Sequence, residues 1–257
     1  MSDVTGDAEL ALRALRLLDL TDLSERATET GALQLCARAV AAPGPVAAVC
    51  LWPQFVETAR RALRAQPVRI ATVINFPAGG SNCSLIENDL SEALADGADE
   101  IDLVLPWRAF LAGDLASARD MVVEARARCG DKTLKVILET GEYPDQDAVR
   151  AASELAIAAG ADFIKTSTGK TAISATPDAA RTMLEAIKAS GRPVGLKPSG
   201  GLRTLADART YLDLADEVMG PGWATPRTFR FGASGLYGVL ADIIAGTVAG
   251  ERSDGAY

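Results

Sequence analysis

Short runs of β-branched and aliphatic residues alternate with longer Ala- and Leu-rich stretches from the first third of the chain to near its end. The short runs predict strands at residues 46–52, 68–76, 100–105, 134–140, 162–168, 194–199, 216–219 and 228–234. The longer stretches predict helices at 53–65, 83–95, 117–128, 146–159, 177–189 and 204–214. Local chemistry punctuates this division. Pro177 follows Thr176 where a helix would start, and Gly97, Gly130, Gly160 and Gly191 close helical runs. Eight strands in strict alternation with helices predict an α/β fold, a (β/α)8 TIM barrel. A doubly wound open sheet is the alternative. The lack of an early glycine fingerprint and the spread of candidate chemistry over many strands favour the barrel.

Residues 1–257 read as a single barrel domain, because no linker, low-complexity tract or composition break divides the 257-residue chain. Residues 1–42 read as an N-terminal helical extension covering one end of the barrel, with Asp19 in an apolar helix-to-turn stretch. Residues 251–257 read as a polar, mobile tail ending in Tyr257. The formal charge of −8 opposes nucleic-acid binding, and no apolar run approaches the roughly 20 residues of a membrane span. The acidic start, with Asp3, Asp7 and Glu9, is unlike a signal peptide, which makes the cytoplasm the default expectation. Cys36, Cys50, Cys83 and Cys129 are scattered rather than paired as zinc ligands or redox motifs. The chain contains no histidine, which removes histidine bases and the usual catalytic metal sites and leaves Lys, Asp, Glu, Tyr, Ser, Thr and Cys for any chemistry. No metal and no cofactor is expected.

Strand parity then singles out the lysines. In the predicted strand 162–168, alternation groups Phe163, Lys165 and Ser167 against Ile164, and in 194–199 it groups Gly195, Lys197 and Ser199 against Val194 and Leu196. Lys135 likewise opposes Leu134 and Val136, and Asp102 opposes Ile101 and Leu103. If the aliphatic faces pack under the helices, Lys135, Lys165, Lys197 and Asp102 point into the barrel. One such lysine commonly forms an internal salt bridge, but several converging with an acid point to function. A lysine nucleophile needs its pKa lowered from about 10.4 to about 7, roughly 4.6 kcal/mol against the ammonium form. A second ammonium about 5 Å away contributes roughly 3.3 kcal/mol at an effective dielectric near 20. Like-charge repulsion from Lys197 is therefore expected to supply most of the shift at Lys165, and desolvation the rest.

Two glycine-bearing loops suit an anion. Lys197 runs into Pro198-Ser199-Gly200-Gly201-Leu202-Arg203, whose glycines let backbone N–H groups approach a phosphate while Arg203 adds charge. The last strand ends in Gly232-Ala233-Ser234-Gly235 and runs into a helix, which places free amides at a helix N-terminus. Either loop alone is compatible with simple turns. The segment Thr168-Gly169-Lys170-Thr171 is not a P-loop, because Ile164 stands where the first glycine is required. Cys50 reads as a core thiol that an inward position would bring beside a substrate.

The segments Asp162-Phe163-Ile164-Lys165-Thr166-Ser167-Thr168-Gly169-Lys170 and Gly195-Leu196-Lys197-Pro198-Ser199-Gly200-Gly201-Leu202-Arg203 resemble the deoxyribose-phosphate aldolase family. Supporting matches are Leu18-Asp19-Leu20-Thr21, Asn75-Phe76-Pro77, Gly97-Ala98-Asp99-Glu100-Ile101-Asp102, Lys135-Val136-Ile137-Leu138-Glu139-Thr140-Gly141, Phe229-Arg230-Phe231-Gly232-Ala233-Ser234 and the terminal Tyr257. The resemblance implies reversible cleavage of 2-deoxy-D-ribose 5-phosphate to acetaldehyde and D-glyceraldehyde 3-phosphate. It implies Lys165 as Schiff-base nucleophile, Lys197 as the group that lowers its pKa, and Asp102 as its partner in proton transfer. It also implies Tyr257, as in the longer-chain members, as an acid/base at C2. Asp19, Cys50, Lys135, Thr166, Thr168, Gly169, Lys170, Gly200, Gly201, Arg203, Gly232, Ser234 and Gly235 are the implied substrate and phosphate contacts, and the assembly implied is a homodimer.

One position departs from the pattern. Similar aldolases carry a second serine after Gly-Ala-Ser, where this chain has Gly235, so a hydroxyl donor is lost and the backbone N–H kept. A weaker phosphate grip is expected. On the residues alone two rivals stay open: a Schiff-base aldolase acting on a ketose phosphate, and a non-catalytic phosphate-sugar sensor on the same fold. Retention of both Lys165 and Lys197 argues against the sensor.

Overall fold

The computed structural model describes residues 4–247, and Tyr257 with the rest of the expected tail lies outside them. Within that range eight parallel strands form one sheet: β1 (Leu18–Asp22), β2 (Ala48–Leu51), β3 (Arg69–Ile74), β4 (Glu100–Val104), β5 (Thr133–Ile137), β6 (Phe163–Lys165), β7 (Gly195–Lys197) and β8 (Phe231–Ala233). Their order is β7-β6-β5-β4-β3-β2-β1-β8. The two ends meet, because parallel bridges join Leu196 to Phe229 and Ser199 to Gly232, so the sheet closes into a barrel. Around it run α1 (Val4–Arg16), α2 (Glu29–Val40), α3 (Val56–Ala62), α4 (Cys83–Ala95), α5 (Trp107–Leu111), α6 (Leu115–Cys129), α7 (Gln146–Ala158), α8 (Pro177–Ser190), α9 (Leu205–Met219) and α10 (Leu236–Ile244).

The helices start and stop where their end chemistry dictates. Thr176 accepts the Ala179 N–H ahead of Pro177 in α8, and Gly191 ends that helix in the left-handed region at φ 64°. Thr204 and Asp207 form a reciprocal capping box at the start of α9. The outward strand faces supply the main core, with Ile101, Leu103, Leu134, Val136, Ile164 and Leu196 all fully buried against the helices. Parity therefore sends the opposite, charged face inward, as the alternation predicts.

Two expectations are corrected. The helical extension expected over residues 1–42 contains β1, which pairs with β2 and β8 and closes the barrel. The Leu-Asp-Leu-Thr pattern alternates, but its polar face looks into the barrel, and no glycine or proline separates it from α1. Its apolar half thus reads as a continuation of the helix. Conversely, residues 216–219 are not a strand but the last turn of α9. Tyr211, Leu212 and Ala215 are buried at helical spacing, and no breaker occurs before Gly220. The acids of that turn face outward, Asp216 to Arg13 at 2.8 Å and Glu217 to Arg181 at 2.7 Å.

A close backbone approach inside the barrel requires Gly195. A Cβ there would lie 2.3 Å from the Phe163 ring, which forms part of the barrel base. Gly195→Ala is expected to destabilise the fold by about 1–3 kcal/mol, the usual cost of overpacking, as read by urea or thermal denaturation.

Candidate active site

Along the inner faces, charged side chains accumulate where a barrel normally holds apolar layers. Asp19 comes from β1, Glu100 and Asp102 from β4, Lys135 from β5, Lys165 from β6 and Lys197 from β7, and Arg230 stands just before β8. None is more than 5% exposed. Asp102 is the centre of the group: its Oδ1 accepts from Lys135 Nζ at 2.8 Å, and its Oδ2 from Lys165 Nζ at 2.8 Å and Lys197 Nζ at 2.7 Å. Lys197 also donates to Asp19 Oδ2 at 2.6 Å, whose other oxygen accepts from Arg230 at 2.6 Å.

Three carboxylates in this lattice face three cations other than Lys165. The set is therefore electroneutral when Lys165 is an uncharged amine. In a water-poor interior an unbalanced charge is costly, which favours that state. The individual groups follow suit. Burial pushes the Lys165 ammonium below the ordinary lysine range, Lys197 adds to the effect and Asp102 opposes it. Burial also works against charge on Lys197, but Asp102 and Asp19 more than offset it and hold Lys197 well above the usual value. Asp102, despite burial, is held well below the carboxylate range by Lys135, Lys165 and Lys197. The expected order of causes is thus reversed. Desolvation, not repulsion from Lys197, is the larger influence on Lys165, whose side chain is almost entirely removed from water.

Above this layer, at the C-terminal ends of the strands, opens a cleft of about 600 Å³. Thr168, Gly169, Lys170, Gly200, Gly201, Arg203, Gly232, Ser234 and Gly235 line it. Gly232, in the lining of the cleft, packs directly on Lys197: a Cβ there would stand 2.6 Å from Ser199 Oγ and 3.0 Å from Lys197 Cε. Gly235 is the N-cap of α10 and provides no side-chain cap, so the first amides of that helix are open to an anion. Space for a side chain exists there, since a Cβ at Gly235 meets nothing within 4 Å.

Four of the residues expected to touch substrate lie, like Lys165 and Lys197, in the buried layer below the cleft rather than in its lining. Asp19 and Lys135 are fully buried members of the ion lattice. Thr166 ties β6 to β7, its hydroxyl accepting the Ser199 N–H at 2.9 Å and donating to the Ser199 carbonyl at 3.2 Å. Cys50 is fully buried, and burial raises its thiol pKa. It belongs to an apolar patch with Leu23, Ala71 and Val73, which forms the uncharged wall beside the lysines. Tyr257 lies outside the described residues.

Sequence reading also passed over residues that matter to the site. Thr21, Asp22, Leu23 and Ser24 line the cleft, and the helical pattern over β1 conceals them in the sequence. Glu100 and Arg230 share strand parity with Asp102 and Gly232, a signal that was available. Glu139 shares the parity of Lys135, but its contact with the next loop is not legible in the sequence: it adopts φ 64°, is 1% exposed and accepts from the Thr168 N–H at 3.1 Å and the Thr168 hydroxyl at 2.6 Å. It thereby sets the loop that carries Gly169 and Lys170.

Comparison with known proteins agrees with this geometry. The family model described as DeoC/LacD family aldolase matches residues 13–234. A curated relative from Agrobacterium fabrum, named deoxyribose-phosphate aldolase, is 49% identical over 249 residues, 96% of each chain. Among solved structures, a putative deoxyribose-phosphate aldolase from Toxoplasma gondii superposes with a TM-score of 0.87 at 25% identity, covering 97% of this chain and 99% of that one. Deoxyribose phosphate aldolase from Aeropyrum pernix, described as a tetramer, shares the fold with a TM-score of 0.74 at 24% identity over 93% of this chain and 96% of that one. With the barrel, the lysine-carboxylate lattice and the family match all on one chain, the protein belongs to the DeoC/LacD family of aldolases.

Proposed function

We propose that this chain is a deoxyribose-phosphate aldolase, a lyase that reversibly cleaves 2-deoxy-D-ribose 5-phosphate to acetaldehyde and D-glyceraldehyde 3-phosphate through a Schiff base on Lys165. The observation that carries the reading is a buried lysine, disfavoured as an ammonium, sharing Asp102 Oδ2 with a charged lysine directly below an anion-ready cleft.

The chemistry follows from that placement. The Lys165 amine adds to C1 of the open-chain sugar, and loss of water leaves an iminium. The iminium withdraws electrons from the adjoining carbons. When the C3 hydroxyl gives up its proton, C2–C3 breaks, its electron pair passes into an enamine and D-glyceraldehyde 3-phosphate departs. Protonation at C2 and hydrolysis of the iminium release acetaldehyde and restore the amine. In this reading Asp102 and Lys197, with water, move the proton, and Tyr257 acts at C2. The phosphate lies against Gly200, Gly201, Arg203, Ser234 and the first amides of α10, with Thr168, Gly169 and Lys170 along the sugar. Cys50, Ala71 and Val73 form a dry wall suited to a two-carbon donor. Phosphorylated sugars and small aldehydes are thus the partners.

No helix among the described residues is long and apolar enough to cross a membrane. The reading adds a cytoplasmic enzyme working as one domain and as a homodimer, the latter testable by sedimentation equilibrium.

Borohydride reduction in the presence of acetaldehyde is expected to leave an ethyl group on Lys165, mapped by peptide mass spectrometry, and label only on another lysine would overturn the assignment. Lys165→Ala is expected to lower kcat by on the order of 10³-fold or more, whereas EDTA treatment leaves turnover unchanged. Gly235→Ser restores a hydroxyl in open space. Its expected effect is a KM for deoxyribose 5-phosphate lower by about three- to tenfold, the size of one added hydrogen bond, with little change for unphosphorylated deoxyribose. An unchanged preference between the two sugars would refute the role given to this position.

A further inference from the structure

The ion lattice continues past the reacting layer to the end of the barrel opposite the cleft. There Arg230 donates from Nη1 to Asp19 Oδ1 at 2.6 Å and to Glu100 Oε2 at 3.1 Å, and from Nη2 to Glu100 Oε1 at 2.8 Å. Glu100 Oε2 in turn meets Lys135 Nζ at 2.7 Å. Both residues border a separate hollow of about 470 Å³ at that end, and neither lines the substrate cleft. A buried ion pair is a poor way to fill a barrel base, since apolar side chains of similar volume often stabilise as well or better. Its charges need another explanation.

We propose that Glu100 and Arg230 are positioning residues for the aldol reaction, completing the charge balance of the buried lattice so that Lys165 is its neutral member. The inference rests on the Schiff-base reading of Lys165 but concerns two residues that do not touch substrate. Arg230 occupies one oxygen of Asp19 and leaves the other to Lys197. Glu100 provides Lys135 with a second carboxylate, so that Lys135 does not draw Asp102 away from the lysine pair. Asp102 from β4, Lys197 from β7 and Cys50 from β2 act on Lys165 directly, and Asp19 from β1, Glu100 from β4, Lys135 from β5 and Arg230 ahead of β8 reach it through the lattice they share, while β3 presents the uncharged Ala71 and Val73 beside the lattice and Arg69 at the hollow below. Lys135 and Lys197 are held charged by their carboxylates and Cys50 is held neutral by burial. Lys165 is then the member whose proton responds when a charge elsewhere in the lattice is removed.

The signs are opposite for the two residues. Losing the Arg230 charge leaves the lattice negative, so Lys165 retains its proton to higher pH. Losing the Glu100 charge leaves the lattice positive, so Lys165 gives up its proton at lower pH. The test is the pH dependence of the rate at which acetaldehyde and cyanoborohydride ethylate Lys165 in the full-length protein, read by mass spectrometry beside the pH profile of kcat. Glu100→Gln should move the half-maximal pH down, and Arg230→Met up, by about one unit, as for a unit charge roughly 10 Å away at an effective dielectric near 20. Arg230→Lys should leave the midpoint in place, and the Glu100→Gln/Arg230→Met double variant should return to it. Shifts of one sign, or none in a folded Glu100→Gln protein, overturn the inference. Should Arg230→Met fail to fold, Glu100→Gln and Arg230→Lys decide by themselves. A wild-type Lys165 that is not ethylated at any pH sinks the Schiff-base reading, and this inference with it.

Discussion

Asp102 receives hydrogen bonds from Lys135 on one oxygen and from Lys165 and Lys197 on the other, with no exposure to water. Taking these groups out of solvent costs several kcal/mol per ion, which is recovered only when every charge meets partners at close range. The lattice therefore has to be complete. Asp19 answers Lys197, Arg230 answers Asp19, and Glu100 answers both Arg230 and Lys135. A closed barrel suits the task because strands from all around its circumference can each contribute one inward side chain at a fixed height.

The same closure divides the interior by polarity. One sector, with Cys50, Ala71 and Val73, is apolar, and the remainder carries the ion lattice. The cleft above is lined by the glycine-bearing loops and by Lys170 and Arg203, outside the dry layer, which on the proposed reading is where the phosphate is held. On the proposed reading Lys165 thus lies between a cleft suited to an anion and a layer that excludes water, and it is in such a layer that proton affinity is most easily shifted. Small residues keep the two layers in contact: Gly232 leaves room for Ser199 and Lys197, and Gly195 leaves room for the Phe163 ring beneath Arg230.

The hydrophobic periodicity determined the barrel class and most of its helices, because burial of one strand face and one helix stripe is a local, repeating constraint. The match of α4 to residues 83–95 is an example. Strand parity also determined that Lys135, Lys165, Lys197 and Asp102 share the interior, since side-chain direction in a strand is set by the backbone alone. Tertiary structure decided the rest. β1 became a strand because β2 and β8 offer it hydrogen-bonding edges, which nothing local announces, and residues 216–219 stayed helical as the last turn of an α9 whose Tyr211, Leu212 and Ala215 pack into the core. Which carboxylate each lysine meets, and that desolvation outweighs lysine repulsion at Lys165, depend on distances across the barrel between residues as far apart in sequence as Asp19 and Lys197. A linear chain carries the charges and their faces, and only the closed barrel sets the separations that determine which of them keeps its proton.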